Sequence, residues 1–361
     1  MGRRLLCGLA TALVCVLWSG PLISQETSNL PSVETLKCGK DCQSATDPKV
    51  LDKHSIEYPG FPPSDYPTEG LVVLRATVTK DGVLKNTTVV RLIGARIFAD
   101  KALEASKDWR YQPAMRGGVP VDRANWEILA IFTYRPPITG ARDDVYRTFR
   151  DSSALSGEGK HGDAIAMLLP ILSKPHLNFY EREAVSLQLA IDYMNQGDIL
   201  TAREYLDDVT LIGDEYLSKN LRPTLWQMAI LANAKTGQFQ EAKEAFDKLN
   251  ALQTVATDDP LAKLMQAVDE QMRSGKHLAA RGRIAKIGAL PSWRHKLMRH
   301  NFAILQVDGK LDRLTIECGE HLIESVFSDT AEWHIPKGFE ACKLEVYGDP
   351  GTTFMLVEMD D

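Results

Sequence analysis

The stretch Glu69 to Val78, Glu-Gly-Leu-Val-Val-Leu-Arg-Ala-Thr-Val, decides the fold of the first half of this chain, together with the polar break Lys80-Asp81-Gly82. Apolar side chains occupy every second position from Leu74 to Val78, which is the two-residue period of a half-buried strand. Asp-Gly between two apolar runs predicts a tight hairpin, because glycine accepts a positive φ. A return strand is predicted over 87–92, where β-branched residues dominate.

Two further elements follow the hairpin. Phe98, Ala102, Ala105 and Trp109 fall at helical spacing, which predicts a helix with Trp109 in its apolar seam. The glycine pair 117–118 interrupts the pattern, and the apolar run 126–134 predicts a last strand. The predicted order is therefore strand, hairpin, strand, helix, strand. We expect Trp109 in the core, whereas the role of Tyr111 stays open between core and binding surface.

These elements, with Trp109-Arg110-Tyr111-Gln112-Pro113-Ala114 and the earlier Tyr58-Pro59, resemble the C-terminal domain of the TonB family of periplasmic energy transducers. The resemblance covers residues 54–136. It implies a small ββαβ domain that binds an extended peptide of an outer-membrane receptor by adding it to a sheet edge. Carried onto this sequence, the partner-binding residues are those of the last strand: Glu127, Ile128, Leu129, Ala130, Ile131, Phe132 and Thr133.

The N-terminus has the pattern of a targeting segment. Arg3 and Arg4 precede an apolar run that ends at Trp18 and is followed by Ser-Gly-Pro. A signal peptide over 1–25, cleaved after export to the periplasm, is favoured over an inner-membrane anchor, because Ser-Gly-Pro interrupts the run. Residues 26–53 form a polar linker. The net charge of −6 excludes a global attraction to nucleic acid.

Four cysteines remain outside the targeting segment, and they allow three connectivities. In an exported protein we expect them to be oxidised. The local pairing Cys38–Cys42 and Cys318–Cys342 is the simplest, because each pair lies within one segment. A zinc or redox site at Cys38 and Cys42 is the rival interpretation, and it lacks a second ligand pair nearby at zinc-site spacing. The sequence predicts no metal site and no cofactor.

A helical repeat is predicted over 143–299. Gly-x-x-x-x-Ala recurs at Gly159, Gly197, Gly237 and Gly275, with spacings of 38, 40 and 38 residues. Such regularity is typical of stacked helical hairpins, in which the glycine permits the turn and the small alanine lets the helices approach. The pattern resembles the tetratricopeptide class. The cluster formed by Arg294, His295, Lys296, Arg299 and His300 is interpreted as a solvated end of the last repeat.

Residues 300–361 predict a C-terminal all-β module with a sandwich-like arrangement. Alternating runs lie at 302–307, 314–318, 321–326, 343–347 and 353–357, and Asp308-Gly309 and Asp349-Pro350-Gly351 supply turns. The fold class is therefore α+β multidomain: a ββαβ TonB-like domain, α-helical hairpin repeats and a β-rich module.

No catalytic site is predicted. Gly157-x-Gly159-x-x-Gly162 matches the dinucleotide fingerprint as a string, but a helical pattern precedes it where that motif needs a strand. We therefore expect a non-enzymatic periplasmic binding or scaffold protein of the cell envelope, with a protein or peptide partner such as an outer-membrane receptor segment, and with helical repeats that bind a second partner. The alternative is a membrane-anchored energy transducer of the TonB type, which needs the N-terminal segment to be retained.

Overall fold

A computed structural model of the chain describes residues 33–35, 45–52, 56, 58–59, 68–134, 136, 138–174, 176–285, 291–319, 321–329 and 331–360. These residues form two compact units. One unit takes in the described residues among 62–70 and 133–274, and the other those among 24–61, 71–132 and 275–361. The predicted signal peptide, Cys38 and Cys42 lie outside the described residues.

The TonB-like segment contains a three-stranded sheet and one helix. Up to residue 132 the elements are β1 (Val33–Thr35), β2 (Lys49–Asp52), β3 (Gly70–Val78), β4 (Leu84–Ile93), α1 (Arg96–Ser106), β5 (Arg110–Gln112), β6 (Ala114–Arg116), β7 (Val119–Val121) and β8 (Arg123–Phe132). The sheet order is β4-β3-β8, and β2 pairs with β5. The predicted strand, hairpin, strand and helix follow in order, but the short strands β5, β6 and β7 lie between α1 and the last strand, β8.

One apolar core holds α1 against this sheet. Phe98 and Ala102 of α1 pack with the even-numbered residues of β3, from Val72 to Val78. The rings of Phe98 and Phe132 have centroids 4.7 Å apart. Trp109 is fully buried, as predicted, and Tyr111 is buried as well. Each large side chain in this core contributes roughly 1.5–3 kcal/mol of transfer free energy.

The hairpin turn fits against the start of β5 through backbone alone. Gly82 has a φ of +77°, and a Cβ added to it would lie 2.0 Å from the carbonyl oxygen of Tyr111. The Tyr111 N–H donates to the carbonyl oxygen of Gly82 at 2.9 Å. Glycine is therefore required here both for the left-handed conformation and for the close approach. The Asp-Gly turn and the Trp-Arg-Tyr segment are therefore in direct backbone contact.

Among the described residues, seven helices follow the TonB-like segment. They are α2 (Asp143–Gly157), α3 (His161–Leu172), α4 (Phe179–Asn195), α5 (Ile199–Ile212), α6 (Arg222–Thr236), α7 (Phe239–Leu252) and α8 (Pro260–Arg273). The predicted glycine turns at Gly159, Gly197 and Gly237 join α2 to α3, α4 to α5 and α6 to α7, each with a positive φ. In the part of the chain that the structure describes, no helix is both long enough and apolar enough to cross a membrane.

The predicted small residues lie at the contacts between paired helices. Ala164, Ala202 and Ala242 are fully buried in α3, α5 and α7. α4 begins with a capping box, in which the Asn178 side chain accepts from the Glu181 N–H and Glu181 accepts from the Asn178 N–H. Stacked helical hairpins are therefore present, whereas membership of the tetratricopeptide class stays a prediction.

The prediction that the helical pattern continues to Arg299 is wrong. α8 ends at Arg273, and strands occupy Leu278–Arg283 and Ser292–Lys296. Ala280, expected in a fourth helical pair, is instead a buried strand residue. The reason is tertiary pairing, which overrides local helix propensity: this segment adds an edge strand to a sheet, and the missing Cβ of Gly282 leaves room for the ring of Phe354.

The C-terminal β module consists of two sheets around one core. Its strands are β9 (Leu278–Arg283), β10 (Ser292–Lys296), β11 (Asn301–Asp308), β12 (Leu311–Cys318), β13 (His321–Val326), β14 (Glu332–His334), β15 (Cys342–Gly348) and β16 (Thr353–Met359). The sheet orders are β1-β14-β11-β16-β9 and β10-β15-β12-β13. Trp293, Phe302, Trp333 and Phe354 belong to the shared core. The module therefore starts earlier than predicted, and β1 joins it as a parallel edge strand.

Cys318 and Cys342 form a disulfide, as predicted, with the sulfur atoms 1.99 Å apart. The two residues face each other in the pairing of β12 with β15. The cross-link therefore fixes the register of two neighbouring strands in the four-stranded sheet.

We predict that Gly82→Ala lowers the free energy of unfolding by about 3 kcal/mol, because strain at positive φ adds to the clash with Tyr111. Gly118→Ala is the matched control, since Gly118 has a φ of +82° and no atom within 4 Å of an added Cβ. We expect a loss of about 1–2 kcal/mol there. Equal losses in urea denaturation would show that the Tyr111 contact is unimportant.

We predict that Ala242→Leu destabilises the chain by about 1–3 kcal/mol, because the larger side chain overpacks the contact between α6 and α7. The same leucine at Lys248, an exposed position of α7, should leave the thermal midpoint nearly unchanged. An unchanged melting curve for Ala242→Leu would contradict the repeat alignment.

Candidate functional site

β8 is the strand that the sequence marks for partner binding. It contains Glu127 to Phe132, and it lies at the edge of the order β4-β3-β8 among the described strands. Thr133 follows the strand, and its hydroxyl donates to the carboxylate of Glu69 at 2.5 Å. Six of the seven predicted residues therefore lie in one edge strand.

The two faces of β8 have different roles. Ile128, Ala130 and Phe132 are buried in the core against α1. Leu129 and Ile131 are directed to the other face and are 38% and 41% exposed. A partner could therefore touch the side chains of Leu129 and Ile131, but not those of the core-facing set.

Glu127 lies in a network of ion pairs with the C-terminal β module. Its Oε1 is 2.8 Å from Nη2 of Arg75 and 2.6 Å from Nη2 of Arg294, and its Oε2 accepts from Nη1 of Arg294 at 3.1 Å. Glu345 of β15 lies 2.7 Å from Arg75 and 3.1 Å from Arg294. Glu127 is therefore engaged by two arginines. The sequence patterns did not predict this network. The one signal for it in the sequence is Arg75, a charged residue inside a strand whose other side chains are mostly apolar.

Electrostatics stabilise the ionised form of this network. Burial tends to raise the pKa of Glu345, but Arg294, Arg75 and the hydroxyl of Ser292 hold it below its ordinary value. Burial likewise tends to lower the pKa of Arg75, and Glu345, Tyr347 and Glu127 raise it. Because the pKa of Glu345 is lowered, its contribution to stability is present above the ordinary value of 4.5 and is lost as pH falls through the folded-state pKa.

A second contact links β8 to the same module. Nη2 of Arg123 donates to Oε1 of Glu317 at 2.8 Å and to the carbonyl oxygen of Gly319 at 2.6 Å. The Arg123 side chain is only 6% exposed. The beginning of β8 is thus bound to the end of β12, next to the disulfide.

The interpretation of residues 294–300 as a solvated basic cluster is wrong. Residues 294–296 lie in β10 and residues 297–300 follow it, so the cluster does not end a helical repeat. His295 is buried and lies 2.8 Å from Oε1 of Glu358, whose other oxygen accepts from the N–H groups of Met298 and Arg299. Sequence spacing could not reveal this, because Glu358 is distant in the chain.

Glu69 has a structural role that the sequence did not assign. Its carboxylate accepts from the Phe179 N–H at 2.8 Å, the Tyr134 N–H at 3.1 Å and the Thr133 hydroxyl. The first of these bonds satisfies an N–H in the first turn of α4, where a negative charge is favourable. Glu69 therefore connects the residue before β3, the residue after β8 and the beginning of α4.

Glu183 of α4 is a second buried carboxyl group, and its hydrogen-bonding environment is the opposite of that of Glu69. It is fully buried, and within the described residues neither oxygen has a hydrogen-bond partner. Burial, and then Asp214, Glu69 and Glu215, raise its pKa well above the ordinary value, while Arg222 opposes them. Burial and the neighbouring acids therefore favour the protonated form of Glu183 in the folded protein.

Ser156, His161 and Asp192 come together between α2, α3 and α4 without forming a catalytic triad. The serine hydroxyl and Nδ1 of the histidine both contact Oδ1 of Asp192, at 2.5 and 2.8 Å. A triad needs the histidine between nucleophile and carboxylate. The arrangement is a structural link between helices. Gly157 ends α2, Gly159 lies in the turn and Gly162 lies in α3, so a helix precedes the string where a dinucleotide site requires a strand.

Residues 67–128 match the family model described as Gram-negative bacterial TonB protein C-terminal, within the predicted range of 54–136. No curated protein matches the chain. The family match supports a TonB-like protein-interaction role in the cell envelope, for which no enzymatic activity is needed.

We predict that Glu183→Gln increases the free energy of unfolding at pH 8 and changes it little at pH 4. A carboxyl whose folded-state pKa is raised stabilises the fold fully below its unfolded value, and that stability is lost as pH rises through the raised pKa. The amide cannot ionise and removes this loss. Urea denaturation across this pH range tests the prediction, with exposed Glu244→Gln in α7 as control; equal slopes for wild type and Glu183→Gln would contradict it.

Proposed function

We propose that this chain is a non-enzymatic periplasmic binding protein of the bacterial cell envelope, and that β8 captures an extended peptide of a membrane partner. The single observation that supports this is the position of β8 at the edge of its sheet, within the segment that matches the TonB family. An edge strand offers main-chain donors and acceptors to an added strand.

The alternation along β8 defines what such a peptide meets. The core-facing residues hold the strand against α1, so β8 is rigid before a partner arrives. Affinity then comes mainly from main-chain hydrogen bonds, with a modest contribution from side chains near Leu129 and Ile131. An extended peptide with apolar side chains at alternate positions fits this surface.

The helical repeats are proposed to bind a second partner. Thirteen of the 17 residues of α4 are buried, and the Phe179 N–H at its N-terminus donates to the carboxylate of Glu69. The exposed positions of α3, α5 and α7 are therefore the candidate surface.

The alternative proposal is a membrane-anchored energy transducer of the TonB type. The same family match supports it equally, and it requires residues 1–25 to be retained as an anchor. Mass spectrometry of the N-terminus of the protein purified from envelopes separates the two: a start near residue 25 supports the periplasmic protein, and a start at residue 1 or 2 supports the anchored one.

Peptide capture is tested by calorimetry with the full chain. The probe is an end-capped, neutral peptide of alternating valine and serine, as long as β8. Successive residues of a strand direct their N–H groups to opposite sides. N-methylation of one alternating set should therefore abolish binding, and N-methylation of the other set should not. If N-methylation of neither set changes the affinity, the peptide is not bound through its main chain and the proposal is wrong.

We predict that Ile131→Ala weakens binding of the valine–serine peptide by a factor of about 2–5, because a cross-strand side-chain pair contributes little beside the main chain. Ser328→Ala, outside the TonB-like segment, serves as control. Complete loss of binding in a variant whose circular dichroism is unchanged would show that side chains, rather than the backbone, dominate recognition.

A further inference from the structure

The TonB-like segment and the C-terminal β module belong to one compact unit but have separate apolar cores. In the described residues, the core around Trp109 and the core around Trp333 have no member in common. Charged side chains join them, in the two contacts that start from Arg75 and Glu127 and from Arg123. Salt should therefore weaken the docking of the module on the TonB-like sheet, because ion pairs are screened, whereas apolar packing within each core does not depend on ion pairs.

The two contacts use the first half of the proposed peptide-binding strand. Arg123 binds Glu317 and the carbonyl oxygen of Gly319, and Glu127 binds Arg294. The side chains beyond them, Leu129 and Ile131, are exposed. A strand added beside β8 lies about 4.8 Å away and directs alternate side chains to the same face. Opposite Arg123 to Glu127 these side chains would meet the module, whereas farther along β8 the side chain of Ile131 is exposed.

We propose that the C-terminal β module is an ionic latch on β8: while docked, it restricts strand addition to the second half of β8, and its release opens the whole strand. This inference depends on the proposed peptide capture. The Glu127–Arg294 pair is the part of the latch that water and salt weaken most, because its side chains are 36% and 49% exposed, whereas Arg123 is 6% exposed. The pair of Arg75 with Glu345 is more buried, at 12% for each side chain, and it directs the module back to the same position.

Release is produced by Arg294→Gln combined with Glu317→Gln. Both residues belong to the module, so β8 itself is unchanged, and neither is in an apolar core. Lys310→Gln is the control, because Lys310 is 70% exposed and pairs with Asp312 inside the module. Circular dichroism confirms folding of each variant.

Docking is measured without any peptide, by the rate at which phenylglyoxal modifies Arg75 relative to the exposed Arg150. We expect the relative rate to rise about threefold to tenfold in the double variant, and in wild type on raising NaCl from about 0.05 to about 1 M. The Lys310→Gln variant should react as wild type does. An Arg75 rate that is the same in all variants and at both salt concentrations would overturn the latch.

Restriction is measured with two valine–serine peptides, one as long as β8 and one that spans only Leu129 to Phe132. With wild type at low salt the two should bind with similar affinity, and with the double variant the longer one should bind more tightly. A longer peptide that is already favoured by wild type overturns the restriction. If neither peptide binds any variant, peptide capture and its restriction both fail, whereas an unchanged Arg75 rate with peptide binding intact overturns the latch alone.

Discussion

The backbone contact between Gly82 and Tyr111 is the constraint on which the TonB-like fold depends. A glycine at positive φ is the residue that lets the hairpin turn approach a neighbouring carbonyl this closely. The same contact supplies the partner of the Tyr111 N–H and holds β5 beside the turn. With β5 in place, Trp109 just before it is enclosed in the core. The local chemistry of one turn thereby fixes how the end of α1 and the segment after it return to the sheet.

Charge has a different role from apolar burial in the unit that contains this sheet. Apolar residues build two cores separately, and each core is insensitive to salt. Arginines and glutamates then connect them through directional contacts whose strength depends on exposure and ionic strength. In the described residues, ion pairs and hydrogen bonds rather than a shared apolar core connect the two parts.

Two buried glutamates have opposite hydrogen-bonding environments. Glu69 accepts three hydrogen bonds, two of them from backbone N–H groups. Glu183 is equally buried, lacks such donors in the described chain, and faces other acids, so its pKa rises. Carboxylates are stabilised in the interior by donors, and without them the neutral form prevails. Glu69 of the Glu-Gly pair at 69–70 thus has a structural role in this chain. Its carboxylate accepts hydrogen bonds from the N–H groups of Phe179 in α4 and of Tyr134, which follows β8.

Local patterns in the sequence determined the strands of the TonB-like sheet, the helix with Trp109 and three glycine turns between helices. Each depends on neighbouring residues or on a period within one element, and such signals survive in any context. Only the tertiary structure decided the rest. β9 and β10 replaced a predicted helical pair because pairing with β16 and β15 outweighed local propensity. Glu127 was identified as part of the edge strand, but its arginine partners were not, since Arg75 and Arg294 are brought together only by the fold. Long-range ion pairs leave no periodic trace in a sequence, because their geometry arises after the elements have packed.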